Sequence, residues 1–350
     1  MVGTSSDKPR RINIHSHLIL PTVFGKAGDL GPELIWYEDG GASMRIGTRF
    51  TKMATIDSLE EAKIIGKRAM TEKVVKGTYD PHVRLAEMDE KGIDVLGVSL
   101  NAQMYFYNIE ARLACAFHAA ANDGLAEYCA VAPDRFFCMA TLPLQDIDAS
   151  KVELDRVIAL GARGIHLGAH SIGGRELYDE DFWPLYARIA EAGLPIFIHP
   201  YPFELVGVPP TRFAGPMLEF PYQSSMAAAN LMLSGALDAV PTLNVCISHG
   251  GGFLPYQFGR IETFAKLNPA VRAKKPLREY LPQLYFDNLI HEPTARKYLV
   301  DWTGAANVLV GDNYGGMDSA DGFAYLEELG LADEDARAIC GGNAARIFRL

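Results

Sequence analysis

Four histidines stand at places where side chains could share one metal ion. In Ile12-Asn13-Ile14-His15-Ser16-His17 two of them are two residues apart in an extended run. On a strand this spacing projects both imidazoles from one face, with Ile12 and Ile14 on the other. Asn13 shares the histidine face. His199 closes the apolar run that begins at Pro195, and His249 closes the run that begins at Leu243. Imidazole suits zinc and other first-row transition metals better than magnesium or calcium. The expected cofactor is therefore one divalent transition metal, zinc first and manganese second. Three neutral histidines, one carboxylate and an open position make a catalytic site, in which the metal acidifies bound water or polarises a substrate oxygen. A nucleophilic serine is not indicated, since no G-x-S-x-G elbow occurs, and none of the five cysteines neighbours a plausible base.

Positioning four such distant residues requires a fold that gathers strand ends. Strand-like runs lie at 11–17, 94–100, 135–142, 163–168, 195–199, 243–249, 283–288 and 307–312. Helical periodicity separates them: Phe182, Leu185, Tyr186 and Ile189 fall at i, i+3, i+4 and i+7 before Gly193, and Leu154, Val157 and Ile158 follow a cap-like Asp148-Ala149-Ser150. Eight strands alternating with helices close most naturally into a (β/α)8 TIM barrel, whose C-terminal strand ends meet at one mouth. A doubly wound nucleotide fold would need a glycine-rich phosphate turn, and neither GxGxxG nor GxxxxGK[ST] is present. Residues 20–80 are Gly-rich and poorly periodic, with a strand-like stretch at 43–50. They are expected to form a small insertion after the first strand, over the barrel mouth, within a single domain spanning 1–350.

Composition narrows the partners. The net charge of −10 argues against a nucleic-acid surface, which needs clustered cations. No apolar run approaches the length of a membrane span, and no signal-peptide pattern precedes the first strand, so the cytoplasm is the expected location. The cysteines are odd in number and unpaired in spacing, and read as reduced buried residues. Of the other histidines, His82, His118 and His291 read as structural, His166 as a core residue inside a strand, and His170, just past a strand end, as a substrate contact.

The order HxH on strand 1, His ending strand 5, His ending strand 6 and an acid ending strand 8 resembles the amidohydrolase superfamily. The finer text resembles its branch of decarboxylases acting on aminocarboxymuconate semialdehyde and aromatic carboxylates: HSH at 15–17, RLAEMDEKGIDV from Arg84 to Val95, LPLQDID at 142–148, HPYPF at 199–203, LMLSGALDAVP at 231–241, SHGGG at 248–252, GRIET at 259–263 and GGNAARIF at 341–348. The resemblance implies that His15, His17 and His199 are metal ligands and that His249 is the acid/base group. It further implies a homodimer in which Arg260 reaches the neighbouring subunit's site to hold a carboxylate, Arg49 as a second substrate-binding arginine, and Tyr201 as an aromatic over the substrate. One departure stands out. Where the family reads Gly-Ser-Asp-Tyr-Pro after strand 8, this chain reads Gly311-Asp312-Asn313-Tyr314-Gly315. Asp312 is expected to be the fourth ligand and to share in catalysis, through a bulged strand end, with Asn313 left to contact substrate; the alternative, in which Gly311 and Tyr314 hold the family register, has Asn313 facing the metal and Asp312 pointing into the wall.

These readings lead to a metal-dependent carboxy-lyase that removes CO2 from a small aromatic or unsaturated carboxylic acid. The runner-up is a hydrolase or hydratase that uses metal-activated water on an amide, lactone or double bond. A third reading, from the altered strand-8 segment, is a barrel that binds a small ligand without turnover.

Overall fold

The computed structural model describes residues 9–37, 42–47, 49–54, 72–170, 172–201, 215–316 and 318–350. In chain order the strands are β1 (Ile12–Asn13), β2 (His17–Leu18), β3 (Glu33–Trp36), β4 (Ala42–Ile46), β5 (Arg49–Ala54), β6 (Val95–Leu100), β7 (Phe136–Ala140), β8 (Gly164–Gly168), β9 (Ile196–His199), β10 (Val245–Ile247), β11 (Leu284–Asp287) and β12 (Val308–Leu309). Leaving aside β3 to β5, neighbours pair in parallel in the order β1-β6-β7-β8-β9-β10-β11-β12, with β2 also on β6. Ile14 N donates to Val310 O at 2.9 Å, and Asn13 bridges Val310. The last strand thus returns to the first, and the architecture is a (β/α)8 barrel with a strand at each expected run.

Alternation along the strands splits the core in two. Leu96, Val98, Ile165, Ile196, Ile198, Val245 and Ile247 pack outward under the helices. Val95, Phe137, Met139, Phe197, Cys246, Tyr285 and Leu309 pack with one another inside the ring, closed by Ile347 and Phe348 of the helix Asn343–Phe348. Such side-chain layers make a barrel a packed core and leave its mouth for chemistry.

The first strand departs from the simple alternation expected of it. Ile12 pairs with Val95 but His17 pairs with Ser99, so five steps on one strand oppose four on the other. This is a one-residue bulge, and it places Ile12 and Ile14 in the inner cluster rather than on a face opposite the histidines. Ser16 Oγ donates to Gly97 O at 2.6 Å and Ser99 Oγ to Ser16 O at 2.7 Å, fixing the bulge to β6.

Within 20–80, the stretch expected as one strand is a hairpin. β4 and β5 are antiparallel around Gly47, whose φ of +59° breaks the strand. With β3 they form a small sheet whose Met44 and Ile46 pack with Leu100, Met104, Phe106 and Phe117. The cap of the helix Ile147–Ala159 is also earlier than expected: Asp146, not Asp148, accepts from Ala149 N at 2.9 Å. The helix from 183 buries Leu185, Tyr186 and Ile189 and is followed by Gly193 at φ +69°. All five cysteines are free. No described helix is long and apolar enough to cross a membrane.

Candidate metal centre at the barrel mouth

The strand ends bring the four histidines into contact. The His15 ring lies 5.2 Å from His17, 5.0 Å from His199 and 5.4 Å from His249, centroid to centroid, and His17 and His199 are 4.7 Å apart. One nitrogen each of His15, His199 and His249 lie within 4.8 Å of one another. His166, from β8, adjoins the group at 6.3 Å from His17 and 5.9 Å from His199.

Two of these rings have their tautomers set. His15 Nδ1 lies 2.7 Å from Asp287 Oδ2, and His199 Nδ1 lies 2.5 Å from Pro200 O. Both oxygens can only accept if Asp287 is ionised, so each Nδ1 carries the proton and each Nε2 keeps its lone pair. Those Nε2 atoms are buried without a partner, as is His17 Nδ1. Unpaired buried polar atoms are costly, and a ligating histidine whose other nitrogen is tied to a carboxylate or carbonyl is the ordinary arrangement around a metal. The residues present fit a divalent transition metal.

Burial keeps His17, His166, His199 and His249 neutral. Burial, reinforced by the charge of His15, lowers His17 to about 3, and burial and neighbouring imidazoles hold His199 and His166 well below the ordinary value. Burial brings His249 down to about 4. For Asp287 burial opposes ionisation, but the hydrogen bond and charge of His15, the charge of His249 and the N–H of Gly250 together hold its carboxyl below the usual range.

His249 owes its position to a turn of glycines. It has φ +56°, and Gly250, Gly251 and Gly252 follow at +60°, +74° and +61°. Side chains at those glycines would strike Ile290, Phe286 and the backbone oxygen of Pro221. Asp287 anchors the turn, accepting from Gly250 N at 2.9 Å while it holds His15. Sequence reasoning missed Asp287, although a carboxylate ending a barrel strand is the same kind of signal as His199.

The strand-8 end differs from expectation. The Asp312 carboxylate accepts from Tyr314 N at 3.1 Å, capping the turn. Asn313, at φ +52°, sets its amide against His17, and its Nδ2 donates to Asp318 Oδ1. Asp318, likewise missed, also meets His291 Nε2 at 3.2 Å.

Of the expected substrate contacts, Tyr201 and His170 lie together, rings 5.6 Å apart, with Tyr201 Oη donating to His170 O at 2.6 Å. Gln223 holds Tyr201 at both backbone atoms, at 3.0 and 2.9 Å. Tyr105 and Tyr107 extend this aromatic wall to 5.6 and 5.9 Å from Tyr201, and Tyr105 Oη is 2.9 Å from His166 Nδ1. His166 is therefore part of the mouth. Arg260 is exposed on the helix Leu254–Ala265, its guanidinium 4.7 Å from the Phe264 ring, apart from this chain's own histidines. The side chain of Arg49 falls outside the described residues. His118 is a core residue as expected, with its nitrogens 3.0 Å from Tyr105 O and from Thr141 Oγ1.

Known proteins resemble this chain over most of its length. The family model described as amidohydrolase matches residues 12–350. A 2-amino-3-carboxymuconate-6-semialdehyde decarboxylase of Dictyostelium discoideum is 29% identical over 83% of this chain and 82% of its own. A gamma-resorcylate decarboxylase of Rhizobium is 30% identical over 76% of this chain and 86% of its own. The crystal structure of 2,6-dihydroxybenzoate decarboxylase from Rhizobium superposes with a TM-score of 0.74 at 25% identity, covering 98% of this chain and 99% of that one.

Proposed function

The chain belongs to the amidohydrolase family, and from that premise we propose that it is a metal-dependent, non-oxidative decarboxylase of a small aromatic or unsaturated carboxylic acid. The observation that carries the reading is the set of buried, partnerless nitrogens on His15, His17 and His199 at the barrel mouth. Similarity to decarboxylases over more than three quarters of the chain sets the reaction class.

In this reading His15, His17 and His199 hold one divalent transition metal, zinc before manganese. When bound, the metal supplies a Lewis acid that polarises a substrate oxygen. Loss of CO2 breaks a carbon–carbon bond, leaves its electron pair on the ring or diene carbon, and requires a proton there. His249 is the group that takes this proton from solvent water, leaving hydroxide to the bulk, and passes it to that carbon, because its imidazole is neutral at pH 7 and lies against the same cluster. Tyr105 and Tyr107, stacked on each other and set edge-to-face with Tyr201, give the mouth an aromatic side suited to a planar acid, and His170 contacts it. Asp287 fixes the tautomer of His15 and is a positioning residue.

The chain is read as one barrel domain with its insertion beside the mouth, and as a cytoplasmic protein in keeping with its free cysteines. A homodimer is supported by the helices Phe220–Leu233 and Leu254–Ala265, which expose Tyr222, Met226, Phe253, Tyr256 and Phe264. Exposed apolar patches mark association surfaces, and Arg260 sits on the second of these helices with its guanidinium over Phe264.

The test is a screen of aromatic and dienoic acids against protein loaded with Zn2+ or Mn2+, with gas and product analysis. Release of CO2 with the matching decarboxylated product is expected. A ring-opened or hydrated product without CO2 would replace this reading with the hydrolase or hydratase one.

A further inference from the structure

Just past the end of β12 it is an amide, that of Asn313, that meets the histidines. Asn313 is 5% exposed, its Oδ1 is buried without a partner, and its amide abuts His17. A Cβ on Gly316 would lie 2.2 Å from that Oδ1, so the glycine makes room for the amide to fold back. Asp318 stands on the other side. A carboxylate only accepts hydrogen bonds, so Asp318 Oδ1 takes Nδ2 of Asn313 and thereby decides which end of the amide is the nitrogen. The oxygen is then the end left without a partner. Asp318 Oδ2 lies 3.2 Å from His291 Nε2, and His291 Nδ1 lies 2.9 Å from Tyr325 Oη. Asp318 is thus held from both sides, and its charge is felt by His249 and His15.

We propose that Asn313 and Asp318 together replace a single strand-end carboxylate: Asn313 Oδ1 is the neutral oxygen offered to the metal beside His17, and Asp318, bonded to Nδ2, orients it and supplies the negative charge. This rests on the metal centre proposed above. Neutral imidazoles contribute no charge to balance a dication, and a carboxylate one hydrogen bond away polarises the amide oxygen. Asp312 Oδ1 accepts the N–H of Tyr314 and caps the turn, whereas it is the Asn313 amide that meets His17.

The experiment measures Zn2+ affinity of the full chain by competition with a chromogenic chelator, without substrate. Thermal unfolding of the metal-free proteins confirms that each variant folds. Asp318→Asn is expected to bind Zn2+ about 10 to 100-fold more weakly, the range for lost partners of metal-ligating groups. The double variant Asn313→Asp with Asp318→Asn moves the carboxylate to the strand end and is expected to recover affinity to within about threefold of the native chain. Asp318→Asn with native affinity, or a double variant no tighter than Asp318→Asn, would overturn the proposal while leaving the histidine centre standing. A native chain that binds no Zn2+ would remove the centre itself, and the proposal with it.

Discussion

At the residue scale, Asp287 connects the two halves of the proposed metal centre. One oxygen takes the proton of His15 Nδ1 and the other takes the N–H of Gly250, one residue beyond His249. Asp287→Asn keeps the shape but offers an amide that can present its NH2 to His15, which favours the tautomer with the proton on Nε2 and removes the lone pair with which His15 would hold the proposed metal. The expected result is Zn2+ affinity lowered by about 10 to 100-fold, while His15→Ala and His199→Ala, which remove the donor nitrogens themselves, leave no stoichiometric metal after dialysis. Metal analysis and chelator competition check both, and full metal content in the two alanine variants would dismiss the site. The histidines were legible because each ends or begins an apolar run. Asp287 and Asp318 were not singled out, since one looked like the polar end of an ordinary strand and the other lies in a turn whose path depends on the left-handed backbone of Asn313.

At the scale of elements, all eight barrel strands could be read from β-rich runs alternating with helical periods, because burial on both faces of a parallel strand leaves a continuous apolar signature. The bulge between Ile12 and His17 could not, since it is set by hydrogen bonds of Ser16 and Ser99 to partners on the other strand. The hairpin at Gly47 was hidden for a related reason: a single glycine in a strand-like stretch reads equally as strand or turn. The glycine turn after β10 gives the sharpest test at this scale. A Cβ at Gly252 would lie 1.9 Å from the backbone oxygen of Pro221, which cannot rotate away, and the residue is at φ +61°, a region that disfavours any side chain. Gly252→Ala should therefore displace the helix beginning at Phe220 or the turn carrying His249, and lower thermal stability by several degrees. Ala at Gly161, also at positive φ but with open space around its Cβ position, is the control and should cost less. Equal unfolding temperatures for the two variants would mean that the close approach to Pro221 does not constrain the turn.

At the scale of the whole molecule, burying neutral histidines ties folding to pH. His17 and His118 are lowered to about 3 and His249 to about 4, against an unfolded value of 6.5. The unfolded chain binds these protons first as pH falls, so the stability they contribute is complete above pH 6.5 and is lost progressively toward pH 3 to 4, at up to about 1.4 kcal/mol per group and pH unit. Metal-free protein should lose unfolding temperature steadily below pH 6.5 and hold it between pH 7 and 8; an acid-insensitive profile would show that the rings are solvated. The second property at this scale is assembly. The helices Phe220–Leu233 and Leu254–Ala265 both start at the mouth, with Phe220 stacked 6.2 Å from His249, and carry exposed apolar side chains outward, Tyr256 at 81% exposure. The resemblance to the decarboxylase branch implies that, where two copies pair across this face, Arg260 of each reaches the partner's mouth, where a guanidinium can take a substrate carboxylate with paired hydrogen bonds. Arg260→Ala and His249→Asn homodimers should then both be inactive on a substrate found by the acid screen, the first for want of the clamp and the second of the proton carrier. Mixed under conditions that exchange subunits, the two variants form a heterodimer with one doubly damaged site and one intact site, so that up to about half of a native dimer's activity per heterodimer returns. Exchange demonstrated by differently tagged chains, with no return of activity, would confine Arg260 to its own subunit's surface.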